Sequence, residues 1–172
     1  LRPSTLIWAE GADKSKGKSR YELYPADELV IYTTPASPSD LRAVLEIVKP
    51  KIVHVLAVSP AKEKTDEFLA RLAGMAKFAI NNKGGKVSVN ELAVATAQRV
   101  NAARIGLEWL AAGGHVSAVP EGEAVLLSAG NGAANQYLQK ELFIAVRGIL
   151  EETAAFREYF AQADLEQAFG GM

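Results

Sequence analysis

The stretch from Gly84 to Ser128 admits few folds, because its apolar residues, cap-forming residues and glycines keep a strict spacing. Val87 and Val89 alternate as in a short strand. Asn90 is placed to cap a helix that turns Leu92, Ala93 and Ala95 inward. Residues 98–100 make a turn, and Asn101 is placed to cap a second helix. Ala103, Gly106, Leu107 and Leu110 then fall on one face of that helix. Gly113 and Gly114 stop it, since glycine takes the left-handed conformation that a helix end needs. Val116 and Ala118 alternate into a strand, Pro120, Glu121 and Gly122 mark a tip, and residues 124–127 return. Strand, helix, turn, helix and two strands joined by a loop is the order of a winged helix-turn-helix.

Upstream, the pattern changes to that of an α/β layer. Residues 5–10 read as a strand with Trp8 in the core. A polar segment follows from Gly11 to Ser19. It carries Lys14, Lys16 and Lys18, with Arg20 just beyond, and reads either as a phosphate-contacting loop or as a solvated connector. Residues 21–24 read as a short edge strand. Residues 29–34 form an apolar run of the kind found in strands covered on both faces. Ser37 can cap a helix, Pro38 suits its first position and Asp40 sits where a capping-box acid belongs. That helix presents Leu41, Val44, Leu45 and Val48 and ends before Pro50. Residues 51–59 make a further buried strand, with His54 as a core residue. Strand, helix and strand in this order form the unit of a parallel sheet with a right-handed crossover. Ligands of such sheets gather at the strands' C-terminal ends, here Thr33 to Ser37 and Ser59. No glycine-rich phosphate loop follows either strand, so Thr33, Thr34 and Ser37 read as turn and cap residues.

Downstream of a linker at 60–65, residues 66–82 form a helix with Phe68, Leu69, Leu72, Met75, Ala76 and Ala79 inward. Lys77, Lys83 and Lys86 gather near its end. Residues 129–132 break the chain after the wing. The last segment, 133–168, repeats Leu138, Leu142, Ala145, Val146, Ile149, Phe156 and Phe160 at helical spacing. Unbroken, it would reach roughly 50 Å at about 1.5 Å per residue. Either it breaks near Glu152 and Thr153, or its end packs on the α/β layer or on a partner. The expected architecture is therefore α/β. A small layer with a parallel strand–helix–strand unit (1–62) precedes a winged helix-turn-helix (63–130) and a C-terminal helical segment (131–172).

Composition narrows the function classes. The 172 residues are 49% hydrophobic and 23% charged, as in an ordinary globular chain, with a formal net charge of −1. A protein that wraps nucleic acid by charge alone carries a clear basic excess, so any DNA contact here must be local. No apolar run is long enough to cross a membrane and no secretion signal opens the chain. The absence of cysteine excludes disulfides and thiol catalysis and fits a cytoplasmic location. The first residue is Leu1, which suggests a fragment of a longer protein. The two histidines, His54 and His115, have no acidic partner at metal-ligand spacing. There is no nucleophile elbow and no Walker-type loop. The chain thus offers no catalytic residues and no metal ligands of its own.

In a DNA-reading helix-turn-helix, the exposed N-terminal positions of the second helix meet base edges. Here they are Asn101, Ala102, Arg104, Ile105 and Glu108. Arg104 suits guanine or phosphate and Asn101 suits adenine. Arg99 in the turn and His115 at the start of the wing are placed for phosphate. These groups are fewer than the roughly 6–10 phosphate contacts of strong binders.

Three stretches together resemble a known family. They are LIWAEG (6–11), LVIYTTPASPSDLRAVLEIVKPKIVHVLAV (29–58) and FLARLAGMAKFAINNKGGKVSVNELAVATAQRVNAARIGLEWLAAGGHVSAV (68–119). An apolar strand, a strand–helix–strand with a proline turn, and a winged helix after an FLxRL-type helix resemble the C-terminal region of bacterial RecJ-type single-stranded-DNA-specific exonucleases. The resemblance covers the chain to about Leu127. It implies a parent enzyme that hydrolyses single-stranded DNA from 5′ to 3′ with manganese or magnesium in DNA repair and recombination. The family's Asp-His-His motifs do not occur here. The resemblance therefore implies an accessory end that helps to engage DNA or docks a single-strand-binding protein or a helicase. Two other readings stand beside it: a winged-helix transcription regulator, and a module that only docks proteins.

Overall fold

A computed structural model describes residues 3–163 and 165–169 of the chain. It divides into two compact units. One is built from the described parts of Leu1–Lys62, Val94–Ala97 and Glu152–Met172, the other from Glu63–Ala93 and Gln98–Glu151.

The first unit holds a parallel sheet of β1 (Thr5–Trp8), β2 (Glu28–Thr33) and β3 (Ile52–Val58), in the order β1-β2-β3. Helix α1 (Pro38–Val48) makes the crossover from β2 to β3. Its start follows the sequence: Pro38 occupies the first turn, and the Ser37 hydroxyl accepts the Asp40 N–H at 3.1 Å. Leu41, Val44 and Val48 are buried in one cluster with Leu6, Trp8, Leu29 and Ile31. Burying one such aliphatic side chain contributes about 1.5–3 kcal/mol, so this face of α1 holds the layer together.

The expectation that β2 and β3 would be covered on both faces is corrected. In β2, Leu29, Ile31 and Thr33 are buried while the alternate residues are half-buried, and β3 has no fully buried residue. The reason is position: β3 is an edge strand, and the sheet's second face is only partly covered among the described residues. His54, expected in the core, therefore has a 53% exposed side chain, with Nε2 3.5 Å from the Glu28 carboxylate.

Residues 11–19 are ordered by the sheet. Gly11–Lys16 form a 3-10 turn, and the chain then returns beside β1, where Lys18 N–H bonds to Ile7 O at 2.8 Å and Ala9 N–H to Lys18 O at 3.0 Å. Gly17 permits this approach, since a Cβ there would sit 2.3 Å from the Ile7 carbonyl oxygen. Residues 21–24 form a turn and irregular chain in place of the expected edge strand. The turn is closed by Glu22 N–H on Ser19 O at 3.0 Å.

The second unit contains α2 (Thr65–Asn82), β4 (Lys86–Ser88), the first part of α3 (Val89–Thr96), α4 (Val100–Ala112), β5 (Val116–Glu121) and β6 (Ala124–Ala129). The three strands form an antiparallel sheet in the order β4-β6-β5. Phe68, Leu69, Leu72, Leu107 and Leu110 are buried in a single core. Three local expectations are corrected. Helix α3 starts two residues early and is capped by Ser88, whose hydroxyl accepts Glu91 N–H at 3.4 Å; Asn90 lies inside it. Helix α4 starts after Arg99, so Asn101 lies within its first turn and caps nothing. The hairpin tip is Gly122–Glu123, because Gly122 supplies the left-handed φ of 63°, while Pro120 and Glu121 pair within β5.

Helix α5 (Gln136–Gln162) runs unbroken past Glu152 and Thr153, about 40 Å at 1.5 Å per residue. Val146 and Leu150 belong to the core of the second unit, whereas Phe160 belongs to that of the first. Of the two outcomes expected for this segment, its end packs on the α/β layer. Leu138 and Ala145, expected on the inward face, are exposed. A short helix α6 (Leu165–Phe169) follows, with Phe169 edge-on to Phe160 at 6.2 Å.

Candidate functional site

In the first unit the C-terminal ends of the parallel strands converge on a buried polar cluster. Glu10 follows β1 and is only 4% exposed. Its Oε1 accepts the Trp8 indole N–H at 2.9 Å, the Arg20 backbone N–H at 3.1 Å and Arg20 Nε at 2.8 Å. Its Oε2 meets Arg20 Nη2 at 2.5 Å. Arg20 Nη1 reaches Asp40 Oδ1 at 3.1 Å, and the Ser37 hydroxyl donates to Asp40 Oδ2 at 2.7 Å. Glu10 N–H donates to Thr33 Oγ1 at 3.0 Å, and the Thr34 and Ser59 hydroxyls lie 3.0 Å apart. Arg157, from the end of α5, donates to the carbonyls of Thr34 and Ala97.

Burial works against the Arg20 charge. The hydrogen bond and charge of Glu10, with Asp40 behind it, outweigh that cost and hold Arg20 above its ordinary pKa. The Glu10 carboxylate accepts from Trp8 and Arg20 of this chain on both oxygens. The cluster is a tie that locks residues 10–20 to the sheet.

Tyr21 sits over this tie, 6.0 Å from the Arg20 guanidinium. Its phenol is held above the ordinary tyrosine range, first by burial and then by the Asp40 and Glu10 charges, against the lowering effect of Arg20. An acid whose folded pKa is raised favours its neutral form. The resulting stability is present below about pH 10 and is lost as the pH rises through the folded value. The phenolate absorbance of the chain, compared with that of Tyr21→Phe, should show one tyrosine ionising later than free tyrosine. A Tyr21 that titrates at or below pH 10.0 would contradict this placement.

The candidate nucleic-acid residues scatter. Lys14 and Lys16 are exposed, while Lys18 is half-buried with Nζ 5.7 Å over the Tyr24 ring. Arg20 faces inward onto Glu10, so its charge does not reach solvent. Arg104 is exposed; Arg99 and Asn101 are half-buried, and the Asn101 Oδ1 is buried without a hydrogen bond. Lys83 and Lys86 are exposed, with Lys83 Nζ 5.9 Å from the Phe78 ring. Lys77 and His115, both exposed, line one groove in the second unit.

That groove encloses about 550 Å³ between α2, α4, the strands β5 and β6, and α5. Leu69, Ala73, Trp109, Leu110, Val116 and Phe143 make its apolar walls, and Asp66 joins the two basic residues in its lining. The His115 ring stacks on Trp109 at 6.1 Å and 29°, which keeps the imidazole beside the opening. The groove is wide because α2 turns Ala70 and Ala73 toward it where larger residues would fill the space. Sequence reasoning missed it. Those alanines on the flank of an amphipathic helix are the only signal it left.

Among the described residues no three His, Asp or Glu side chains converge as a metal site, and no helix is long and apolar enough to cross a membrane. Compared with known proteins, the chain matches no family model, no curated protein and no solved structure.

Proposed function

We propose that the chain is a non-catalytic accessory module of a RecJ-like single-stranded-DNA-specific exonuclease, and that its second unit docks a partner protein. The observation that carries docking is the open apolar groove walled by Leu69, Ala73, Trp109, Leu110, Val116 and Phe143. The order α2-β4-α3-α4-β5-β6, with β6 between β4 and β5, supports reading this unit as a winged helix-turn-helix used as a platform. On α4 the exposed charges are one cation, Arg104, and one anion, Glu108, a poor set for reading a polyanion. From the resemblance, the partner is a single-strand-binding protein or a helicase. Single-stranded DNA and its manganese or magnesium belong to the parent enzyme's catalytic domains, in the cytoplasm.

Calorimetric titration of the full chain with each partner tests this reading. Ala70→Trp, at an exposed position on the groove wall, should weaken docking by at least about tenfold, equivalent to about 1.4 kcal/mol. Arg104→Ala should leave docking within about twofold. Unchanged binding by Ala70→Trp, or no binding of either partner, sinks the docking role. Robust cleavage of single-stranded DNA by the isolated chain with manganese would overturn the accessory role. Tight, sequence-selective duplex binding lost in Arg99→Ala and Arg104→Ala would favour a transcription regulator.

A further inference from the structure

The sheet of the first unit has one face buried and one face largely exposed. Ile7 is 37%, Ile52 50% and Leu56 59% exposed on the latter side. Half-buried Val30 and Tyr32 lie on the central strand. The register makes this a continuous surface: Thr5, Glu28 and Ile52 form one cross-strand row, and Ile7, Val30 and His54 the next. Parallel sheets occur almost only with both faces covered, and continuous apolar strands such as these are the pattern of a doubly covered sheet. We propose that this face is the seat of a single amphipathic α-helix from a partner polypeptide segment, with a basic residue on the helix flank that meets Glu28.

Three observations select a helix over other occupants. The first is size. From β1 to β3 is two strand spacings, about 10 Å, and the strands run roughly 13–23 Å. That footprint matches one helix, about 10 Å wide, over about 10–14 residues. A stable interface between two copies needs roughly 20–30 residues a side, far more than this face presents. The second is the state of the edge. Ala57 adopts a left-handed φ of 53°, and the pairing of β2 with β3 shifts register between Ile31 and Thr33. This bulge bends the outer edge of β3 and works against addition of a fourth strand, which directs an occupant to the face. The third is charge. Glu28 lies on the face at its N-terminal end, where its carboxylate accepts the Thr5 hydroxyl at 3.2 Å and faces His54 Nε2 at 3.5 Å. Lys51, at the start of β3, is held by Asp27 at 2.8 Å. Glu28 thus makes this end of the face acidic beside Thr5 and His54, which favours a basic residue on the occupant.

The test is a methyl-NMR titration of the full chain with a helical peptide of about 14 residues carrying a leucine stripe flanked by lysines. A glutamate-flanked peptide and a shuffled peptide without the stripe serve as comparisons. The lysine-flanked peptide should shift the methyls of Ile7, Ile52 and Leu56 saturably and bind more tightly than both comparisons. Leu56→Asp and Ile52→Asp are at positions at least half exposed, so the chain should keep its fold. Each should weaken binding by about tenfold or more, the loss expected from withdrawing one buried aliphatic side chain. The proposal is overturned if the shifts fall only on the groove lining of the second unit, if Leu56→Asp binds as well as the parent, or if the peptides do not bind. Self-association of the chain that Leu56→Asp abolishes would overturn it as well, since the occupant would then be a second copy. Failure of partner docking at the groove, by contrast, would leave these outcomes unaffected.

Discussion

Glu10→Ala is expected to destabilise the first unit by about 3–5 kcal/mol, the usual effect of removing one partner from a buried ion pair. The substitution takes from the Arg20 guanidinium, in a residue 5% exposed, the carboxylate it is bonded to, and it strands the Trp8 indole N–H. Urea unfolding followed by tryptophan fluorescence should show the loss as a lower midpoint. Glu10→Gln should cost less, because an amide oxygen can still accept from the indole. Replacing both ends of the pair, as in Glu10→Leu with Arg20→Met, should recover part of the loss, because the buried guanidinium goes with its carboxylate, while Asp40 loses Arg20 and the Trp8 indole N–H still lacks Glu10. If Glu10→Ala unfolds at the same urea concentration as the parent, the cluster is not the tie described.

Gly85→Ala is expected to have a comparable effect on the second unit, about 3 kcal/mol or more. Gly85 has a φ of 82°, a region costly for any residue with a side chain. A Cβ there would lie 1.9 Å from the Leu127 carbonyl oxygen, and that backbone cannot retreat cheaply. Leu127 N–H bonds to Gly85 O at 2.8 Å, and Gly85 N–H bonds to Ala79 O at 2.9 Å, so the glycine joins the end of α2 to the hairpin. Gly84→Ala isolates the two causes: its φ is 62° with nothing within 4 Å of a Cβ, so it should lose only the strain term, about 1–2 kcal/mol. Equal losses in the two variants, measured by thermal unfolding, would show that the contact with Leu127 does not matter.

Much of the local structure was legible because it is set by neighbours in the chain. Ser37, Pro38 and Asp40 announce α1, and the helix begins where they place it. The stripe Phe68, Leu69, Leu72, Ala76 and Ala79 is the buried face of α2. Cap positions were less legible, since Ser88, Asn90, Arg99 and Asn101 are all chemically able to cap or to lie in a first turn. Which one does so depends on where packing starts the helix. The hairpin tip moved by a residue or two for a similar reason: cross-strand pairing carried Pro120 and Glu121 into β5.

The candidate site was hardly legible at all. Lys14, Lys16, Lys18 and Arg20 read alike as a basic run, yet Arg20 turns inward onto Glu10, ten positions earlier, and the lysines do not. The groove draws its walls from Leu69, Trp109, Val116 and Phe143, which no local pattern connects. Periodicity and cap chemistry act over a few residues, so they specified most elements, their order and the inward stripes of α2 and α4, but not that of α5, where Leu138 and Ala145 are exposed. The pairing of Glu10 with Arg20, the exposure of the parallel sheet's second face and the open groove depend on contacts between distant segments. Only the packed chain could decide them, because burial and charge pairing are properties of neighbours in space.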